Sequence, residues 1–167
     1  ILAITLARGG SKGIKNKNIK KISGKPLIFY TIKEALKSNL ISDYIVSTDS
    51  QDISNISKKL GAKVPFLRPK KYSTDKASSV SALKHAVIWM ENEHNIKYDF
   101  VIELMCTNPL KTKSDIECVI KKLIKTKADS VIAVNKLEDH HPRRIKKIVN
   151  DKIVDFCLNE KKESRRQ

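Results

Sequence analysis

The apolar residues of this chain come in short blocks, and polar stretches with helical periodicity fill the spaces between them. Residues 1–7 form a near-continuous apolar run, the pattern of a strand buried on both faces. Residues 26–38 read as a helix with Pro26 in its first turn. A second strand follows over 44–48, and then a helix over 51–60 stopped by Gly61. A short third strand is expected over 64–67. Ser78 or Ser79 opens a helix to residue 93, and 100–105 reads as a fourth strand. Ser114-Asp115-Ile116-Glu117 has the spacing of a capping box, and it starts a helix with Ile116, Val119, Ile120, Leu123 and Ile124 on one face. Residues 130–134 read as a fifth strand. Residues 145–149 and 153–156, joined through Asn150-Asp151-Lys152, read as a hairpin. Strand–helix alternation of this kind predicts an α/β fold: a Rossmann-like, doubly wound, mostly parallel sheet with helices on both faces and a C-terminal β-hairpin.

Composition narrows the class. At 167 residues the chain is read as a single domain, 1–167, with a core of its own. No apolar run reaches the length of a membrane span, and residues 1–7 are too short for a signal-peptide core. Cys106, Cys118 and Cys157 are widely spaced and form no Cys-x-x-Cys pair. They are read as free thiols of a reducing compartment, the cytoplasm, and not as a disulfide framework or zinc site. The 34 Lys and Arg exceed the 18 Asp and Glu, for a net charge of +16. That excess admits a nucleic-acid partner. The cations are spread along the whole chain, however, and few aromatics are present to stack bases.

The chemistry concentrates just after the first strand. Ala7-Arg8-Gly9-Gly10-Ser11-Lys12-Gly13-Ile14-Lys15-Asn16-Lys17-Asn18 joins glycines to four cations. Backbone N–H groups in such a turn make an anion-binding concavity, and the cations neutralise several phosphates at once. The P-loop pattern and the Gly-x-Gly-x-x-Gly fingerprint both fail here: Lys12 is followed by Gly13, and Gly9-Gly10 lacks the spacer. Ligands of doubly wound sheets sit beyond the carboxyl ends of the strands. The blocks 8–18, 68–79 and 105–110 all follow strands and are expected to share one cleft.

In order along the chain, these blocks resemble the acylneuraminate cytidylyltransferase (CMP-sialic acid synthetase) family. The resemblance runs through Ala7–Asn18, Gly24-Lys25-Pro26-Leu27, Val46-Ser47-Thr48-Asp49-Ser50, Val64-Pro65-Phe66-Leu67-Arg68-Pro69, Ser73-Thr74-Asp75-Lys76-Ala77-Ser78-Ser79, Thr107-Asn108-Pro109-Leu110 and His140-His141-Pro142. It implies the nucleotide-diphospho-sugar transferase type of fold. It also implies transfer of CMP from CTP to a sialic-type nonulosonic acid of the neuraminic, legionaminic or pseudaminic class, with release of pyrophosphate. Arg8 and Lys17 would be the catalytic cations. Arg8, Gly9, Gly10, Ser11, Lys12, Lys17, Asn18, Arg68, Ser78 and Ser79 would hold the nucleotide. Met105, Thr107, Asn108 and Arg144 would face the sugar acid.

Some positions keep two readings. Ser78 and Ser79 could contact the nucleotide, cap a helix, or do both. Asp49 and Asp75 are each either a turn residue or a site carboxylate. Lys15 reads as solvated, and His85 and His94 read as structural. His140 and His141 could bind the sugar carboxylate or pair at a metal, although no ligand spacing supports a metal. The block 105–111 departs from the family's usual Gln-Pro-Thr-Ser-Pro-Leu-Arg, with Met105 in place of a Gln whose amide a thioether cannot imitate.

The resemblance further implies Mg²⁺, held by an Asp-x-Asp that falls beyond residue 167, so the chain is expected to be truncated at its C-terminus with no metal ligands of its own. It also implies a homodimer, with the 145–157 hairpin as a candidate dimerisation element. The alternatives are a basic nucleic-acid-binding α/β domain, or an inactive cytidylyltransferase remnant.

Overall fold

The computed structural model describes residues 1–11, 13–134 and 146–155. The chain divides into two units, Ile1–Val131 and Ile132–Gln167.

The first unit runs β1 (Leu2–Leu6), β2 (Lys21–Ile22), β3 (Lys25–Pro26), α1 (Leu27–Leu36), β4 (Asp43–Ser47), α2 (Gln51–Lys59), α3 (Ser79–His94), β5 (Val101–Glu103) and α4 (Lys113–Thr126), with single 3-10 turns at Lys17–Ile19 and Lys70–Tyr72. Its main sheet has the order β4-β1-β5. Both pairings are parallel, with Ile4 opposite Ile45 on one side and Glu103 on the other.

Strand periodicity sorts the core into two layers. Ala3, Ala7, Tyr44 and Val46 pack against Ile28, Ile32 and Ala35 of α1, Ile53 of α2, and Ile116 and Ile120 of α4. Leu2, Ile4 and Ile45 face the other way, onto Ala86 and Met90 of α3. Each fully buried Leu or Ile contributes roughly 1.5–3 kcal/mol. Helices therefore cover both faces, as the alternation predicts.

A buried polar line crosses the three strands. Thr5 Oγ1 donates to the Leu104 carbonyl at 2.9 Å, so its one proton is used there. The Tyr44 hydroxyl, 2.9 Å from the same oxygen, is then the donor to it. Burial raises the pKa of that phenol.

The helix ends show why they form where they do. Ser50 caps α2, accepting from Ile53 N at 3.4 Å, and Gly61 takes φ +89° after its last turn. Ser78 caps α3, accepting from Ser81 N at 3.1 Å. Pro26 sits at the N-cap of α1, one position before the first turn.

Three sequence expectations are corrected. Residues 64–67 are not a strand: they flank β4 through isolated bridges at Lys63 and Leu67, with Pro65 lacking the N–H a ladder needs. Residues 130–134 carry no strand pairing. The capping box of α4 is Thr112 with Asp115, not Ser114 with Glu117. Ser114 lies inside α4, which starts at Lys113, and the Glu117 carboxylate accepts instead from Ser38 Oγ at 3.1 Å and Asn39 N at 3.3 Å.

In the second unit, β6 (Lys146–Val149) and β7 (Lys152–Asp155) form the expected antiparallel hairpin. Its turn is the two residues Asn150 and Asp151, both at positive φ, as a type I′ turn requires. No helix among the described residues is long and apolar enough to cross a membrane.

Candidate functional site

All three parallel strands end on one edge, and the segments leaving them enclose a cleft of about 670 Å³. Arg8, Ser11, Lys17 and Asn18 line it from the loop after β1, and Arg68 from the segment beside β4. Ser78 and Ser79 line it from the start of α3, and Met105 and Thr107 from the turn after β5. The structure thus brings together most of the residues singled out in the sequence. Gly9, Gly10 and Asn108 stand just outside the lining. Lys12, Arg144, His140 and His141 lie outside the described residues.

The loop after β1 is pinned at both ends. Gly9 N donates to Asp49 Oδ1 at 2.9 Å. Asn18 is 5% exposed, and its Nδ2 donates to the Arg8 carbonyl at 3.0 Å. Of the glycines, Gly9 has a packing reason to lack a side chain: a Cβ there would meet Ser50 Cβ at 3.0 Å. A Cβ on Gly10 would meet nothing within 4 Å, and neither residue takes a positive φ.

Arg8 points across the cleft mouth, where Nη1 lies 2.9 Å from Asp75 Oδ1. Arg68 is only 5% exposed. Its Nε donates to Ser73 Oγ at 3.0 Å, and its Nη2 stands 4.0 Å from Asp49 Oδ1. Burial lowers the pKa of this guanidinium from its ordinary value; Asp49 opposes that shift and Arg8 adds to it. A cation held in such surroundings attracts an incoming anion more strongly than a solvated one.

On the opposite wall, Met105 is 57% exposed and faces the cleft. The turn it begins is clamped by Lys111, whose Nζ donates to Thr31 Oγ1 at 2.7 Å and to the carbonyls of Met105 at 2.8 Å and Asn108 at 2.7 Å. Burial pulls the Lys111 ammonium down to about 8, with the Cys106 thiol opposing the shift. Burial pushes that thiol up to about 11 against the pull of Lys111 and Lys17.

Sequence reasoning missed Tyr72, Thr74 and Glu103, all on the cleft wall. Glu103 left a signal, a carboxylate inside an apolar strand, and burial raises its pKa. Tyr72 is packed on His85 with ring centroids 4.8 Å apart. His85 itself packs edge-on to Phe66 at 4.9 Å, which fits the structural role expected of it.

The donors among the described residues do not make up a magnesium site. Among the described residues no group of three or more His, Cys, Asp or Glu is placed to hold a metal. Of the carboxylates on the cleft wall, Asp75 is tied to Arg8.

The protein-family model described as Cytidylyltransferase matches residues 2–154. The chain belongs to the cytidylyltransferase family. It is 39% identical over 137 residues to a pseudaminic acid cytidylyltransferase of Campylobacter jejuni, covering 82% of this chain and 59% of that protein. It is 36% identical over 138 residues to a CMP-N,N'-diacetyllegionaminic acid synthase of Legionella pneumophila, covering 81% and 57%. Against an N-acylneuraminate cytidylyltransferase of Escherichia coli the identity is 47% over 87 residues, covering 52% and 20%. The chain therefore spans a little over half the length of the first two relatives. Among solved structures, a CMP:2-keto-3-deoxy-manno-octonic acid synthetase in complex with CTP shares the fold, with TM-score 0.61 at 23% identity over 76% of this chain and 48% of that one. This family membership agrees with the resemblance read from the loop after β1 and the blocks that follow it.

Proposed function

We propose that this chain carries the nucleotide site of an enzyme that transfers CMP from CTP to a nonulosonic acid of the neuraminic, legionaminic or pseudaminic class. The observation that carries the reading is the convergence of Arg8, Lys17 and Arg68 on one cleft at the carboxyl edge of a parallel sheet. The relatives named for all three sugar-acid classes support the acceptor class.

In the reaction, the anomeric hydroxyl oxygen of the sugar acid attacks the α-phosphorus of CTP and loses its proton. The bond from that phosphorus to the bridging oxygen breaks in line, and pyrophosphate leaves. Such transfers depend on positioning and charge neutralisation more than on covalent help. Arg8 and Lys17 are the catalytic cations, with Lys17 meeting charge that develops at the α-phosphate. Gly9, Gly10, Ser11 and Lys12 follow the phosphates, and Asn18, Arg68, Ser78 and Ser79 complete the nucleotide pocket. Met105, Thr107, Asn108 and Arg144 belong to the acceptor side. Magnesium would add charge neutralisation at the triphosphate.

The reading extends to a cytoplasmic homodimer. Cys106 and Cys118 are free thiols, which supports a reducing compartment. The hairpin pairs Ile148 with Ile153 while leaving them 74% and 73% exposed, which supports a partner surface there.

Incubation with CTP and each purified sugar acid, followed by phosphorus NMR, tests the proposal. Pyrophosphate and a CMP-sugar phosphodiester signal are expected with at least one acid. CTP left intact with every acid, by a folded sample, would contradict it.

A further inference from the structure

Asp49 follows β4 and precedes α2, where a carboxylate often serves as a helix cap. Here the cap is Ser50, so the Asp49 side chain is left to turn elsewhere. Its Oδ1 accepts the Gly9 N–H at 2.9 Å and lies 4.0 Å from Arg68 Nη2. Both partners approach on short leashes. Ala7 N donates to the Ser47 carbonyl at 3.0 Å, and Arg68 N donates to the Thr48 carbonyl at 2.7 Å. Gly9 comes near enough to Ser50 that no larger residue fits without a shift. One carboxylate oxygen thus joins the phosphate-side loop to the buried cation of the facing wall. A negative charge beside an anion site weakens anion binding by itself. Its presence here is accounted for by what it holds.

We propose that Asp49 is a positioning residue of the nucleotide site, setting the Gly9 end of the phosphate loop and the Arg68 guanidinium relative to each other. This rests on the CTP reading above. The charge of Asp49 offsets the burial of Arg68, and its acceptor oxygen satisfies the Gly9 N–H. The two roles separate by substitution. Asp49→Ala removes both, whereas Asp49→Asn keeps an acceptor for Gly9 and removes the charge, whose two effects on CTP, support of the buried Arg68 and repulsion of phosphate, oppose each other.

The test is calorimetric titration of the parent chain, Asp49→Ala and Asp49→Asn with CTP, alongside thermal unfolding of each. Asp49→Ala is expected to bind about tenfold more weakly, the scale set by a lost charge-assisted hydrogen bond. Asp49→Asn is expected to bind close to the parent, because the lost support of Arg68 is set against the lost repulsion of phosphate, and that rescue is what loss of the Gly9 acceptor would not give. Parent-like binding by Asp49→Ala would overturn the proposal. So would tenfold weakening by Asp49→Asn, a result that decides the matter even if the alanine variant fails to fold. A folded parent that binds no CTP would instead overturn the function on which the proposal rests.

Discussion

Arg8 and Asp75 meet across the mouth of the cleft, Nη1 to Oδ1 at 2.9 Å, although 67 residues separate them in the chain. The carboxylate occupies the cation that the proposed reaction assigns to phosphate, so nucleotide has to displace it. Both side chains are about two-fifths exposed, at 37% and 46%, so water and salt screen the pair. Exposed pairs of this kind are worth about 0.2–1 kcal/mol. Asp75→Asn should therefore raise CTP affinity by no more than about fivefold. The gain should shrink as salt is added, which titration at two ionic strengths reads directly. Weaker CTP binding by Asp75→Asn at low salt would count against a carboxylate that competes with phosphate for Arg8.

Gly9 and Gly10 are adjacent, yet they should respond differently to the same methyl group. Gly9→Ala drives a Cβ to 3.0 Å from Ser50 Cβ and strains the bond to Asp49. It should lower unfolding stability by about 1–3 kcal/mol. Gly10→Ala meets nothing and should stay within about 0.5 kcal/mol of the parent. Urea unfolding of the two variants measures the contrast.

Lys111 should leave a mark on the pH dependence of stability. Its folded pKa, about 8, lies below the ordinary lysine value. The unfolded chain therefore holds this proton more tightly between about pH 8 and pH 10.4, so the contribution of Lys111 to stability is lowest below pH 8 and rises through that window. Lys111→Met should remove the rise. Urea unfolding of parent and variant at pH 7.5, 8.5 and 9.5 compares the slopes, and parallel slopes would count against the buried ammonium.

Thr112→Ala should destabilise α4 by about 1 kcal/mol through loss of the capping box, and Ser114→Ala should do almost nothing. Thermal unfolding separates the two. The reverse order would restore the cap expected from sequence.

That cap shows where the sequence was legible and where it was not. Thr112-Lys113-Ser114-Asp115 and Ser114-Asp115-Ile116-Glu117 satisfy the same local pattern; the structure starts α4 on the first, and Glu117 turns to Ser38 and Asn39 from far along the chain. β1, β4, Ser78 and the Asn150-Asp151 turn were readable because their signals are local: an apolar run, a hydroxyl before a helix, two residues suited to positive φ. The segment at 64–67 was not, because its apolar residues pack beside β4 without pairing continuously. In the cleft, the cations announced themselves by clustering after β1. Their partners were less legible: Asp49 and Asp75 read equally well as turn residues and Glu103 as part of a strand, until the sheet brings distant loops to one edge. At Asp49 the neighbouring Ser50 takes the helix cap, which leaves the carboxylate to accept from Gly9 N.

Calorimetric titration with CTP, ATP, GTP and UTP, on the parent chain and on Arg8→Ala, tests the central claim most directly. The parent should bind CTP in preference to the other three, and Arg8→Ala should bind it at least about tenfold more weakly, the cost of removing a charge-assisted phosphate contact. Binding of no nucleotide by a folded parent, or equal CTP affinity in the two proteins, would contradict a cytidine-nucleotide site in this cleft.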